Sequence, residues 1–153
     1  MRKILWQIVK YAVIGVLATV INLTVAELFA AYIWPCLGEG DILVRYCGFS
    51  PAKVSDVDRA SLAVACNLAG FFVANVICWY LNRKFVFVPG RHHWIVEYLI
   101  FLAGSGLAIL CGSGIIWALV AFAGIQTTYS FVINVFVSVS INFVVRKFLV
   151  FKE

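Results

Sequence analysis

Residues 61–81 read SLAVACNLAGFFVANVICWYL, an apolar stretch with no Asp, Glu, Lys or Arg. A helix of roughly 20 such residues crosses a hydrocarbon core about 30 Å thick. Three similar stretches cover residues 8–34, 95–122 and 127–145, in a chain that is 64% hydrophobic and 12% charged. Backbone groups in lipid must bond within their own segment, so each stretch is expected to be helical. The sequence therefore predicts one all-α integral membrane domain, residues 1–153, with four transmembrane helices.

Two of the predicted helices end in nearly the same sequence. Asn82-Arg83-Lys84-Phe85-Val86-Phe87 closes the second span, and Arg146-Lys147-Phe148-Leu149-Val150-Phe151 closes the fourth. Adjacent cations at headgroup depth, beside large apolar side chains, suit a lipid that carries a phosphate. Ordinary positive-inside anchors are the alternative interpretation.

The starts of the first and third spans also match each other. They read Ile8-Val9-Lys10-Tyr11 and Ile95-Val96-Glu97-Tyr98. Together with the matching ends of the second and fourth spans, this predicts that the chain forms two tandem helical hairpins.

The distribution of Lys and Arg predicts the orientation. Nine of the twelve fall at the two termini or in the connection after the second span, and this side is expected to be cytoplasmic. They are Arg2, Lys3, Lys10, Arg83, Lys84, Arg91, Arg146, Lys147 and Lys152. Both termini are then cytoplasmic, and the long loop at residues 35–60 lies outside. The cations do not gather on a soluble face, so a nucleic-acid partner is not expected.

The cysteine pattern predicts little chemistry. Cys36 and Cys47 flank the start of the outer loop, and in an oxidising compartment they would either form a disulfide or stay as free thiols. No Cys/His spacing suggests a metal site, and no nucleotide-binding loop or nucleophile elbow is found. We therefore expect no cofactor, no metal and no enzymatic activity.

Polar side chains recur within the predicted spans at helical spacing. The fourth span has one such residue every fourth position, and the second span carries two more near one face. They are Ser130, Asn134, Ser138 and Asn142 in the fourth span, and Asn67 and Asn75 in the second. Polar groups in hydrocarbon are costly, so these are expected to face the bundle interior. They either hold helices together, at about 0.6 kcal/mol each, or line a polar seam for a head group.

Glu27 is the one carboxylate well inside a predicted span. At 1.5 Å per residue it lies about 28 Å along the helix from Ile8, toward the outer side. An intramembrane acid is a functional candidate that titrates or accepts hydrogen bonds from sugar hydroxyls. Alternatively, a long tilted helix carries Glu27 into outer interfacial water.

Small residues recur every fourth position in the third span. Gly104, Ala108 and Gly112 would let two helix backbones approach closely. Because four helices are few for an enclosed path, a homo-oligomer is one use for this face.

The sequence resembles the GtrA-like membrane proteins over nearly its whole length except residues 36–60. The resemblance is carried by Lys10-Tyr11, Gly15, Asn82 to Phe87, Phe101, Asn142, Arg146-Lys147 and Phe151. It implies four helices and work on polyprenyl-phosphate-linked sugars in the cytoplasmic membrane, where members resemble flippases for cell-surface glycans. A related four-helix unit anchors some polyprenyl-phosphate glycosyltransferases.

Carried over, the resemblance implies that Asn82, Arg83, Arg146 and Lys147 hold the lipid phosphate. We extend this hypothesis to neighbouring residues, and Lys84 would add positive potential at the phosphate. The first isoprene units would lie against Phe85, Phe87, Phe148 and Phe151. The sugar would pass a seam of Asn67, Asn75, Asn134, Ser138 and Asn142 and meet Glu27 near the outer side.

The leading hypothesis from the sequence is a lipid-linked-sugar translocase. A second is a non-transporting scaffold that presents polyprenyl phosphate to a glycosyltransferase. A third is a small proton-coupled multidrug exporter that uses Glu27, although such proteins place their acid nearer mid-membrane.

Overall fold

The computed structural model describes the backbone of residues 2–86 and 93–145, and every regular element in those ranges is helical. The elements are α1 (Arg2–Leu28), which continues as a π-helical turn (Phe29–Ile33), α2 (Ile42–Cys47), α3 (Asp56–Phe85), α4 (Trp94–Ala121) and α5 (Thr127–Val145). The predicted all-α membrane fold is confirmed. The short helix α2 was not predicted.

Two helical stretches in the described ranges are long and apolar enough to cross a membrane, Val9–Ile33 and Asp56–Phe85. The two parts of α4, Trp94–Ala103 and Ala108–Ala121, meet at an angle of 44°, and they make a third span if counted as one. In α5, the side chains are described as far as Ser138, and the apolar stretch Thr127–Ser138 is shorter than a membrane span. The structure therefore supports two to three spans, and the fourth stays a prediction.

The bend in α4 has a local chemical origin. Ser105 donates a hydrogen bond from its hydroxyl to the Phe101 carbonyl oxygen, 3.1 Å away, and Gly106 follows. Ser back-bonding and Gly both favour helix bending. The bend lies where α4 forms part of a cavity described below.

The long helices pack in the order α1, α3, α4, α5, with α1 against α3 and α4 against α5. At one end of the bundle, the Lys10 ammonium lies 3.4 Å from the Phe85 carbonyl oxygen, so the start of α1 meets the end of α3. We call this the basic end. The opposite end carries residues 34–55 and is called the loop end. This arrangement places α1 and α3 antiparallel, as in the first predicted hairpin.

Two glycines allow close helix contacts. A Cβ on Gly70 of α3 would lie 2.5 Å from the backbone oxygen of Asn22 in α1. A Cβ on Gly112 of α4 would overlap the side-chain oxygen of Asn134 in α5. The small-residue face of α4 is thus used inside the chain at Gly112, where the sequence suggested a second copy.

The ends of α1 and α3 follow from local chemistry. Pro35 cannot continue a helix, and α1 widens into its π-helical turn just before it, where the Trp34 amide donates to the Phe29 carbonyl oxygen at 2.8 Å. Ser55 caps α3, since its hydroxyl accepts from the Asp58 amide at 3.2 Å.

Residues 34–55 pack onto the helices as part of the protein. Leu37 is 1% exposed and joins a buried cluster with Ile116 and Val120 of α4 and Phe131 of α5. Burying each of these side chains contributes about 1.5–3 kcal/mol. The loop end is therefore closed by a hydrophobic core.

Candidate functional site

A cavity of about 230 Å³, open on one side to the surface of the bundle, is lined by residues of α1, α3, α4 and α5. Its lining mixes aromatic and small apolar groups with many polar side chains. The polar lining residues are Tyr11, Thr19, Asn22, Asn75, Ser105, Asn134 and Ser138. A polar cavity within membrane-spanning helices is a place for water or a polar ligand, because lipid tails cannot satisfy such groups.

Two amide oxygens at the cavity have no hydrogen-bond partner among the described residues. They are the Oδ1 atoms of Asn22 and Asn75, both buried. Asn75 is 6% exposed. A buried acceptor without a donor costs about 1–3 kcal/mol. Amide oxygens accept from hydroxyl groups, which are abundant on a sugar, although both atoms are covered by protein in this structure and Asn22 Oδ1 lies beside Gly70 of α3.

Asn134 is held at the cavity by a small polar network. Its Nδ2 donates to Asn67 Oδ1 at 3.2 Å, and its Oδ1 accepts from the Ser138 hydroxyl at 3.4 Å. Asn67 is 2% exposed and lies outside the lining. Three residues of the predicted sugar seam therefore line the cavity, namely Asn75, Asn134 and Ser138. Asn67 lies outside the lining and holds Asn134 in place through their hydrogen bond.

Glu27 lies at the loop end and not in the cavity lining. Its Oε2 accepts from the Thr128 hydroxyl at 3.2 Å. The same hydroxyl lies 2.7 Å from Asp41 Oδ1, so two carboxyl groups share one donor. The predicted seam thus divides into a cavity and a separate acidic site around Thr128.

Asp41 is the centre of that second site, and the sequence did not suggest it. It is 0% exposed, and its carboxylate accepts from the amides of Leu43, at 3.1 Å, and Thr128, at 3.0 Å. It caps α2 and also bonds the first turn of α5, where the helix dipole favours a negative charge. The available signal was an Asp directly before the apolar run Ile42-Leu43-Val44.

Arg83 lies at the basic end and bridges two helices. Its Nε is 3.4 Å from Glu97 Oε2 of α4, and its guanidinium carbon lies 5.6 Å from the centre of the Trp79 ring. Its side chain is 32% exposed. Neither contact uses the two terminal nitrogens, which have the spacing to bind two phosphate oxygens.

The neighbours of Arg83 point elsewhere. The Lys84 ammonium lies over the rings of Tyr80, at 5.8 Å, and Phe85, at 5.4 Å. Asn82 is 3% exposed, and its amide nitrogen donates to the Cys78 carbonyl oxygen at 2.9 Å. Successive helical residues diverge by about 100°, so the predicted cluster is spread around α3. Arg83 is the member that faces α4.

Several predicted lipid contacts lie outside the described residues, namely Phe87, Arg146, Lys147, Phe148 and Phe151. The side chain of Asn142, predicted for the sugar seam, is also outside them. Phe85 is described, and its ring is 52% exposed, as contact with a lipid tail requires.

A family model described as GtrA/DPMS, transmembrane domain, matches residues 59–151. The match covers more than half of the chain. The chain belongs to this family. A search of curated proteins and a search of solved structures each found no match.

Membership of the GtrA/DPMS family confirms the resemblance found in the sequence. It makes this a membrane protein linked to the handling of polyprenyl-phosphate sugars and to membrane lipids. The match begins at Arg59, so residues 1–58 lie outside it, including Lys10-Tyr11 and Gly15, which also carried the resemblance.

Of the two states that the sequence left open for Cys36 and Cys47, the structure of this GtrA-family protein shows free thiols. Cys36 is buried with its sulfur 3.9 Å from that of Cys66, and Cys47 is exposed at the end of α2. The contact with Cys66, together with burial, raises the pKa of the Cys36 thiol.

Sequence reasoning missed three residues that shape this site. Asn22 lines the cavity and packs on Gly70. Glu97 pairs with Arg83 of a different helix. Thr19 lines the cavity from α1, and a single Thr in an apolar helix gives no distinguishing signal.

Proposed function

We propose that this GtrA-family protein translocates a polyprenyl-phosphate-linked sugar across the cytoplasmic membrane for cell-surface glycan synthesis. The observation that carries the proposal is the polar cavity, with the unpartnered oxygens of Asn22 and Asn75, inside apolar helices. Arg83 supports it as an anion site, since it lies five residues beyond the lining residue Cys78, about 7 Å along α3.

The three parts of such a lipid match three environments. Sugar hydroxyls donate to the amide oxygens of Asn22 and Asn75, which replaces hydrogen bonds that the sugar had with water. The phosphate accepts from Arg83 at the basic end. The isoprenoid chain stays in lipid, beside the exposed ring of Phe85. The excess of Lys and Arg supports an orientation with the basic end and both termini at the cytoplasm.

The translocase proposal gives the chain no bond-breaking step. The polar groups at the cavity accept, donate and exclude lipid, and these are the requirements of a path for a head group. Any sugar transfer belongs to a partner glycosyltransferase. The scaffold hypothesis assigns the same lipid to the protein without movement between leaflets, so a transport assay separates the two.

Transport is measured with the full chain in liposomes that contain a fluorescent polyprenyl-phosphate sugar. A membrane-impermeant quencher reports the fraction that reaches the inner leaflet. Asn75→Leu removes an unpartnered acceptor from the cavity and is expected to lower the initial rate about five- to twelvefold, since one hydrogen bond to a sugar is worth roughly 1–1.5 kcal/mol.

Two threonines of α1 provide a matched control. Thr19 and Thr24 each donate to the carbonyl oxygen four residues earlier, at 3.0 and 2.9 Å, but only Thr19 lines the cavity. Thr19→Val should slow transport, and Thr24→Val should not. Equal rates for wild type, Asn75→Leu and Thr19→Val would refute the cavity as the path. Lipid binding without any transport would favour the scaffold.

A further inference from the structure

We propose that Glu97 is an internal counter-ion that the lipid phosphate displaces from Arg83, so that the Arg83–Glu97 pair is a substrate-released latch between α3 and α4. The inference rests on the proposed function, because it concerns the same phosphate site. It adds a regulatory step and a residue, Glu97, which acts on the lipid through Arg83.

The latch joins two helices at the basic end. Arg83 Nε of α3 and Glu97 Oε2 of α4 are 3.4 Å apart. Trp79 lies beneath them and contacts α4 as well, with its ring centre 5.5 Å from that of Tyr98 and 6.3 Å from that of Trp94. The charged pair and the aromatic layer together hold the end of α3 against the beginning of α4.

The pair is placed where an incoming anion can compete. The Arg83 and Glu97 side chains are 32% and 17% exposed, so the site is reached from the basic end. An ion pair of this exposure is weak, because solvent screens it and side-chain entropy opposes it. A phosphate offers two oxygens to a guanidinium in bidentate geometry, whereas Glu97 contacts a single nitrogen.

Displacement has a direct structural consequence. Once phosphate holds Arg83, the Glu97 carboxylate loses this partner and is repelled by the new anion. Phe101 and Ser105, one and two turns beyond Glu97 on α4, line the cavity. Moving the start of α4 away from α3 therefore widens the cavity where the sugar must enter. Phosphate recognition would thus precede sugar entry.

The test is binding of the fluorescent polyprenyl-phosphate sugar to the purified full-length protein in nanodiscs. Glu97→Gln keeps the shape of the side chain and removes the competing charge, so the lipid should bind about two- to fivefold tighter. A Glu97 with a merely structural role would weaken binding when replaced. Glu39→Gln is the matched control: it makes the same charge change on an exposed side chain at the loop end and should leave the affinity unchanged.

A double-mutant cycle assigns the effect to Arg83. In an Arg83→Gln background, Glu97→Gln should no longer change the affinity, because the competition has been removed. Unchanged or weaker binding by Glu97→Gln in the wild-type background would overturn the latch. If the wild-type protein itself preferred this lipid no more than phosphatidylglycerol, the proposed phosphate site would fail first, and the two failures are distinguishable.

Discussion

Gly70→Ala is the substitution that tests the packing of α1 on α3 most directly. The new Cβ would lie 2.5 Å from the Asn22 backbone oxygen, whereas ordinary van der Waals contact begins at 3.4 Å. The backbone of α1 cannot rotate away as a side chain can. The two helices must therefore separate by about 1 Å along this contact, and Asn22 moves with α1 relative to the cavity.

The magnitude follows from comparing two glycines. Overpacking of this kind costs about 1–3 kcal/mol. Ala is also better than Gly in a helix by about 1 kcal/mol, so the net loss for Gly70→Ala is about 0–2 kcal/mol. A Cβ added at Gly114 of α4 would have no neighbouring atom within 4 Å, and Gly114→Ala gains the same helix propensity without a clash. The difference between the two variants should be about 1–3 kcal/mol.

The assay is unfolding in mixed micelles, with the denaturing detergent fraction raised stepwise and helicity followed by circular dichroism. Gly70→Ala should unfold at a lower fraction than Gly114→Ala, with wild type between them. Equal midpoints for the two variants would show that α1 and α3 do not approach as closely as described, and the reasoning would be refuted.

Two further predictions concern the loop end. Asp41→Ala should destabilise the protein by about 2–4 kcal/mol in the same assay, because it leaves the amides of Thr128 and Leu43 without their acceptor, whereas Glu39→Ala on the exposed surface should change little. A midpoint for Asp41→Ala equal to that of Glu39→Ala would contradict the capping role. Cys47 should react with an impermeant maleimide added from outside, and Cys36 should stay unlabelled, even in alkaline buffer, because it is buried and its thiol pKa is raised. Mass spectrometry of the labelled chain decides this, and labelling of Cys36 as fast as Cys47 would show that the loop does not pack as described.

The long helices were predictable because the length of an apolar stretch and the Pro and Gly residues that end a helix can be seen locally in the sequence. The fourth predicted span and α5 begin at the same residue, Thr127, since the turn before it contains Gly124 with a positive φ of 63°. The second span was predicted at residues 61–81, but α3 runs from Asp56 to Phe85. Hydropathy marks where hydrocarbon ends, and a helix continues past it when capping and interfacial side chains permit.

The site was less predictable, because its contacts join residues that are far apart in sequence. Asn67 and Asn75 looked equivalent as polar positions of one span. Only packing decides that Asn67 bonds to Asn134, whereas Asn75 faces the cavity. The pair of Arg83 with Glu97 depends in the same way on how α3 meets α4. Composition predicted an interior polar surface, but the separation of cavity, latch and acidic loop end required the structure.

The carboxylate at position 41 has a consequence for how the polypeptide is made. Synthesis proceeds from the N-terminus, so Asp41 leaves the ribosome long before Thr128, its partner 87 residues later. Until the last helix inserts, that acid has no α5 donors and cannot be buried without a penalty. Docking of α5 is thus the event that completes the bundle, and a nascent product cut short before Thr127 should be recognised by quality-control proteases as unfinished.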